Sequence, residues 1–351
     1  MSSPDLRRDY FTNRLVIIAA EKSNEKALVK KTGRGVKSQV TPKNCEFCPG
    51  NEDKTPSADL VLVSRAGTLA KLSDEPGDYV KGWAVRAFLN KFPAVTPDAP
   101  RTYSDTPLYS EPAVGYHYIV VMTPKHSIDL SDIDEDQWVN VLTTVQDKSR
   151  WLYSKKNVSY VAIFINHGPD AGASIEHPHL QMMSLPILPP SIDQEARFVQ
   201  KSLRERGICP MCEVLEKEEK GPRLIANARN FLVLAPWASV HRYEFWVFPK
   251  PHQTSFLKVT QRQLGELAEI LRLSLKALAK TLNNPSFNLV IHTSPEKKTS
   301  KQIHWHLEIY PRLFRRAGLD RGMGIYVNTV PPERAAEELR KTIQILGKKK
   351  P

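Results

Sequence analysis

The sequence predicts an α+β fold built from one unit used twice, each half an antiparallel sheet covered on one face by a single long helix. Three observations predict it. The 351 residues carry the same order twice: Cys-x-x-Cys, a Pro/Lys-flanked His after an apolar strand, a helix, then His-x-His. Each helix is amphipathic and leads into a short apolar stretch of strand length. The apolar fraction of 41% and charged fraction of 25% suit a globular chain with an ordinary core.

The elements follow in order. Cys45 and Cys48 stand in NCEFCPG, and His126 follows the apolar run of VVMTPKHSIDL. From Ser131 to Trp151 a capping Ser and acids precede Ile133, Trp138, Leu142 and Val145 near helical spacing. The strand VSYVAIFIN comes next, and His177 arrives 51 positions after His126. The second half repeats this with Cys209 and Cys212 in ICPMCEV and His252 in FWVFPKPHQTSF. Its helix, Thr260 to Leu282, opens on a Thr-x-x-Gln capping box and repeats Leu264, Leu267, Leu271 and Leu278. FNLVIHTS is its strand, and His304 lies 52 positions after His252. The prolines of PILPP and the charged run from Glu216 to Pro222 mark the passage between halves, so the boundary is placed near 195, giving domains 1–194 and 195–351.

Composition narrows the function classes. No run of about 18 apolar residues exists, which excludes a membrane-spanning helix. MSSPDLRRDYFTNR has no apolar segment of signal-peptide type, so a cytoplasmic location is expected. The net charge of +12 admits nucleic acid, an anionic surface or a phosphorylated small molecule. The bases are scattered and no nucleic-acid module is recognisable, which argues against a nucleic-acid groove.

The four cysteines form two Cys-x-x-Cys pairs. In a cytoplasmic chain such a pair is half of a metal site or a redox dithiol, and neither pair has the βαβ context of a redox protein. Cys45, Cys48, His126 and His177 make a tetrahedral set suited to Zn²⁺ rather than to oxygen-seeking Mg²⁺ or Ca²⁺. The bland alternative is buried thiols and a surface histidine. Four ligands close the site, and that frees His179 of GASIEHPHLQMM. It follows the loop NHGPDAGAS, whose amides and Ser174 hydroxyl suit an anion, so a neutral imidazole there reads as a nucleophile or general base toward phosphate. The alternative is an inert strand histidine.

NHGPDAGASIEHPHLQMMSLPILPP, with NCEFC, PKHS and FLNKFPAV, resembles the galactose-1-phosphate uridylyltransferases, a branch of the histidine triad superfamily. The resemblance runs from RRDYFTNRLVII to GIYVNTVPPERAAEELR, and it implies two histidine-triad-like domains. It further implies that His179 attacks the α-phosphorus of a nucleotide sugar, with UDP-glucose (or UDP-galactose) and a hexose 1-phosphate, galactose 1-phosphate, as the exchanging pair. Gln181 and Ser174 would serve the reacting phosphate, with Gly172 and Asn166 near it and Asn90 on the nucleotide. A homodimer and a second metal set, Cys209, Cys212, His252 and His304, are likewise implied; some relatives build that second site from other ligands.

Two departures bear on substrate. Where similar enzymes carry two arginines after the first strand, this chain has AAEKSNEK, leaving Lys22 as phosphate partner. Near the C-terminus GIYVN puts Asn328 where a Gln reads the sugar. GASIEHPHLQMM also resembles plant ADP-glucose phosphorylases, so phosphorolysis of ADP-glucose through the same His179 is the alternative, and a zinc-stabilised nucleic-acid-binding module is the alternative from another class. His306 lacks the Gly-Ala-Ser loop and reads as a supporting residue.

Overall fold

The computed structural model describes residues 3–19, 41–65, 68–99, 107–108, 110–126, 128–297 and 300–348. A hairpin of β1 (Asp5–Arg8) and β2 (Leu15–Ile18) comes first. Then come β3 (Leu60–Arg65), β4 (Thr68–Leu72), β5 (Val85–Leu89), β6 (His117–Val121), helix α1 (Glu135–Ser154), β7 (Tyr160–His167) and β8 (His179–Leu185). The second half holds α2 (Pro190–Arg206), α3 (Pro210–Glu218), β9 (Leu224–Asn227), β10 (Phe231–Leu234), β11 (Phe245–Pro249), α4 (Gln261–Leu282), β12 (Phe287–His292) and β13 (His306–Pro311). The short α5 (Gly318–Gly322), β14 (Ile325–Asn328) and α6 (Pro332–Gly347) follow.

The two halves do not keep separate sheets. Among the described residues one antiparallel sheet of eleven strands runs β4, β3, β5, β6, β8, β7, β12, β13, β11, β10, β9. The order mirrors itself about the β7–β12 seam, where Asn166 faces Asn288 and Ile165 faces Leu289. Joining the copies there removes two exposed edges that would otherwise template association.

Both long helices lie on one face and share one core. Trp138, Val141, Leu142 and Val145 of α1 cover Tyr118, Val120, Leu180 and Met182, while Leu264, Leu267, Leu271 and Leu278 of α4 cover Val233, Val247, Leu307 and Ile309. The Thr260 capping box forms in both directions, with Gln263 N donating to Thr260 Oγ1 at 3.3 Å and Thr260 N to Gln263 Oε1 at 3.0 Å. In α1 the cap is Asp134, which accepts from Gln137 N at 2.8 Å; Ser131 lies buried before the helix.

Helices α2 and α3 cover part of the opposite face through Ile192, Ala196, Val199, Met211 and Leu215. Residue 195, the expected start of the second domain, therefore lies inside α2. The β1–β2 hairpin also sits with the second half: β2 pairs in parallel with β14, Phe11 stacks on Trp246 at 6.0 Å, and Arg7 reaches Glu333 at 2.8 Å.

One buried ion pair fixes the loop that follows Cys48. Arg86, 1% exposed, donates to the Asp74 carboxylate and to Thr55 Oγ1 at 3.2 Å. Asp74 also accepts from Ala58 N at 2.8 Å and Val80 N at 2.9 Å. Arg86→Met leaves that carboxylate buried and unpaired, so a loss of about 3–5 kcal/mol is expected in urea unfolding. A change below about 1 kcal/mol would mean that water reaches Asp74.

Candidate active site

Four side chains from three separate segments converge at the end of β6. Cys45 and Cys48 come from the turn before β3, His126 from the turn after β6, and His177 from the residues leading into β8; their ligand atoms lie within 4.8 Å of one another. Cys48 Sγ is 3.2 Å from His126 Nδ1 and 3.5 Å from His177 Nδ1, and Cys45 Sγ is 3.8 Å from His177 Nδ1. Zn–S bonds of about 2.3 Å and Zn–N bonds of about 2.0–2.1 Å at tetrahedral angles put S and N about 3.6 Å apart, so the set fits one zinc ion. The His177 tautomer fits as well. Its Nε2 lies 2.7 Å from the Thr123 carbonyl, which can only accept, so the proton is on Nε2 and Nδ1 turns its lone pair to the sulfurs. Burial and the neighbouring Cys45 push the Cys48 thiol up to about 12, the condition of a thiol pair that a cation would relieve.

His179 stands two residues on, outside that set, at the first position of β8. Its Nδ1 lies 2.9 Å from the His177 carbonyl, so Nδ1 carries the proton and Nε2 keeps the lone pair. Burial lowers its pKa below 6.5, against an opposing effect of that hydrogen bond, and favours the neutral ring. Phe47, from between the two cysteines, sets its ring edge-on to His179 at 5.3 Å between centroids.

Strand register places the other residues on the same face. His179, Gln181 and Met183 of β8 stand opposite Val121, Ile119 and His117 of β6, and Phe164 of β7 stands opposite Gln181. Asn166, two residues beyond Phe164, shares this face. Gln181 Oε1 is 2.9 Å from His117 Nε2. Asn90, just past β5, has its amide nitrogen 3.4 Å from the His117 ring and accepts from Phe92 N at 3.0 Å.

The loop from Gly168 to Glu176 connects β7 to His177. Gly168 has φ +81°, and a Cβ there would lie 2.3 Å from Ser286 Oγ, so only glycine fits. Gly172, φ +87°, closes a 3₁₀ turn whose Ala171 carbonyl accepts from Asn288 Nδ2 at 2.9 Å; the same nitrogen donates to Asn166 Oδ1 at 2.9 Å. Ser174 is exposed on this loop. Asn328 is not part of the group: fully buried, it donates to the carbonyls of Ser239 (2.9 Å) and His241 (3.3 Å) and accepts from Val330 N (2.9 Å). Lys22 lies outside the described residues.

The second half repeats the metal set and not the open imidazole. Cys209, Cys212, His252 and His304 bring their ligand atoms within 4.8 Å of one another, Cys212 Sγ lying 3.3 Å from His252 Nδ1 and 3.5 Å from His304 Nδ1. Cys209 stands at the N-cap position of α3, without a side-chain capping bond, and Cys212 in its first turn, where the helix dipole favours thiolates. His306 occupies the place of His179, with Nδ1 3.0 Å from the His304 carbonyl. Its Nε2, however, is taken by Glu308 at 3.1 Å. Glu308 belongs with Glu195 and His292 to a buried network that sequence reading missed; burial would lower His292, but Glu308 and Glu195 outweigh it and raise the ring to about 9.

Comparison with known proteins bears on this arrangement. The profile of the family described as "Galactose-1-phosphate uridyl transferase, N-terminal domain" matches residues 72–189. The ADP-glucose phosphorylase of Arabidopsis thaliana is 32% identical over 345 residues, 96% of this chain and 93% of that protein. The galactose-1-phosphate uridylyltransferase of Thermotoga maritima is 29% identical over 266 residues, 73% of this chain and 83% of that protein. A crystal structure of the Arabidopsis thaliana ADP-glucose phosphorylase with bound ADP-glucose superposes with TM-score 0.77 at 29% identity, covering 97% of this chain and 99% of that one. Among the described residues no helix is long and apolar enough to cross a membrane.

Proposed function

The chain belongs to the galactose-1-phosphate uridylyltransferase family, and from that premise we propose that it exchanges a uridylyl group between UDP-glucose and galactose 1-phosphate through a covalent uridylyl-His179. One observation carries the reading. His179 sits beside the Cys2His2 set without belonging to it, its Nδ1 proton committed to the His177 carbonyl and its Nε2 lone pair left for an electrophile.

Nε2 attacks the α-phosphorus of UDP-glucose, the N–P bond forms, and the bond from that phosphorus to the bridging oxygen breaks, so glucose 1-phosphate leaves with the electron pair. The ring holds its Nδ1 proton throughout, and the His177 carbonyl offsets the positive charge it gains. A phosphate oxygen of galactose 1-phosphate then takes the phosphorus and returns a neutral imidazole. In this reading the Gln181 amide, the Ser174 hydroxyl, the Gly172 amide and Asn166 donate to the non-bridging oxygens, while Asn90 and Lys22 serve the nucleotide. Zinc in both Cys2His2 sets would anchor the segments it joins, the first through His177 setting the position of His179. A homodimer in the cytoplasm accompanies the proposal.

A second reading has one observation in its favour: the relative aligned over 96% of the chain is named ADP-glucose phosphorylase. There His179 would take an adenylyl group and inorganic phosphate would accept it. Intact-mass spectrometry after mixing with UDP-glucose or with ADP-glucose, each without acceptor, separates the cases. A uridylyl adduct supports the first reading and an adenylyl adduct alone the second. No adduct from zinc-loaded protein sinks both and favours a zinc-stabilised binding module.

The rate of adduct formation has an expected pH profile. The folded pKa of His179 lies below 6.5, so the attacking ring stays neutral as pH falls to that value and loses its lone pair only below it. An acid midpoint below 6.5 is expected in single-turnover rates. A midpoint above it would contradict a buried neutral nucleophile.

A further inference from the structure

From the register of β6 and β8 we infer that His117 is a positioning residue: it fixes which way the Gln181 amide faces, and so presents an N–H₂ donor to the phosphate that His179 attacks. The inference rests on the reading of His179 as nucleophile.

The argument begins with proton bookkeeping around one ring. The Ala94 backbone N–H donates to His117 Nδ1 at 3.2 Å, so Nδ1 is an acceptor and carries no hydrogen. In the neutral imidazole the proton is then on Nε2. Nε2 lies 2.9 Å from Gln181 Oε1 and donates to it. An amide whose oxygen is engaged on one side must turn its nitrogen the other way. His117 lies across from Met183 and diagonal to Gln181, on the side of Gln181 away from His179, so the nitrogen is directed toward the His179 end of β8.

Without this ring the amide could flip, at small cost, and offer a carbonyl oxygen to an anionic phosphate. The ring is itself held: His117 is only 6% exposed, and Asn90 lies against it at 3.4 Å. The second half shows the contrast. Glu308, two residues after His306, stands where Gln181 stands relative to His179, and it turns back onto the imidazole at 3.1 Å. His117 is what keeps Gln181 from doing the same.

The test is single-turnover nucleotidylation of His179 in wild type, His117→Asp, His117→Gln, Gln181→Ala and His117→Asp/Gln181→Ala, with UDP-glucose and with ADP-glucose. Asp accepts where His donates, so His117→Asp is expected to slow adduct formation about 10- to 100-fold with little change in the half-saturating nucleotide-sugar concentration. Gln can still donate to Oε1 and should recover most of the rate. The double variant should be no slower than Gln181→Ala, a non-additivity that a general loss of packing would not produce. His117→Asp reacting at the wild-type rate, or a double variant slowed by the product of the single effects, overturns the inference while leaving the nucleophile in place. A wild type that forms no adduct overturns both. Melting temperature and zinc content, measured alongside, identify a variant that has lost its fold, and in that case His117→Gln decides by its rate against wild type.

Discussion

His179→Ala is expected to reduce nucleotidyl transfer at least about ten-thousand-fold and to abolish the covalent adduct, with zinc content unchanged. The size follows from the role. Removing a hydrogen-bond donor weakens one contact in the transition state, whereas removing the nucleophile leaves water or the acceptor to attack the nucleotide sugar directly. The geometry makes the variant clean. His179 is not among the four residues of the first metal set, and among the described residues its polar partner is the His177 carbonyl. The melting temperature should therefore move by a few degrees at most. A variant that keeps a tenth of wild-type turnover would show that His179 is not the attacking group.

Cys48→Ser is expected to cost both metal and activity. Cys48 Sγ approaches both imidazoles, His126 at 3.2 Å and His177 at 3.5 Å, and the neutral hydroxyl of serine is a poor substitute for a thiolate. Elemental analysis should fall from about two zinc ions per chain to about one, and the melting temperature should drop by on the order of 10 °C, since three segments distant in sequence lose their common anchor. Activity should fall with it, because in the proposed mechanism His177 would supply a ligand nitrogen as well as the carbonyl that holds the His179 Nδ1 proton. Cys212→Ser offers the control. It should lose the other zinc ion while retaining most activity, because in the proposed mechanism His306, tied to Glu308, takes no part in the transfer. Equal losses in the two variants would mean that the sites act only through global stability.

What could be seen in the sequence was whatever is local or repeated. The Thr260 capping box is written within four residues and forms as written, and the spacing of the two histidines already separated His179 from a four-residue set that the structure also assembles without it. The Cys-His constellations were visible because they occur twice. Register and distant pairing were not visible. His117 is an unremarkable histidine in the apolar strand GYHYIVV until β6 is aligned with β8 and brings it diagonal to Gln181. Asn328 was expected at the sugar because the resemblance puts a sugar-reading Gln in that region, yet its buried amide serves the backbone of Ser239 and His241. The cap of α1 fell to Asp134 rather than Ser131 because both are good caps three residues apart, and only tertiary packing, which buries Ser131, chooses between them. The seam between the halves is invisible for a related reason: a repeat reports that there are two units and says nothing about which edges meet.

The parallel pairing of β2 with β14 joins Leu15 to Ile325 and Asn328 to Ile18, residues about three hundred positions apart. During synthesis the β1–β2 hairpin is made early and its partner strand late, so at ribosomal speeds of about 5–20 residues per second it waits some tens of seconds with an open edge. Loop closure over that distance cannot precede the formation of the large sheet that brings the two segments together. The hairpin should accordingly be among the last elements to acquire protection in refolding followed by hydrogen exchange, closing over a core that is already built.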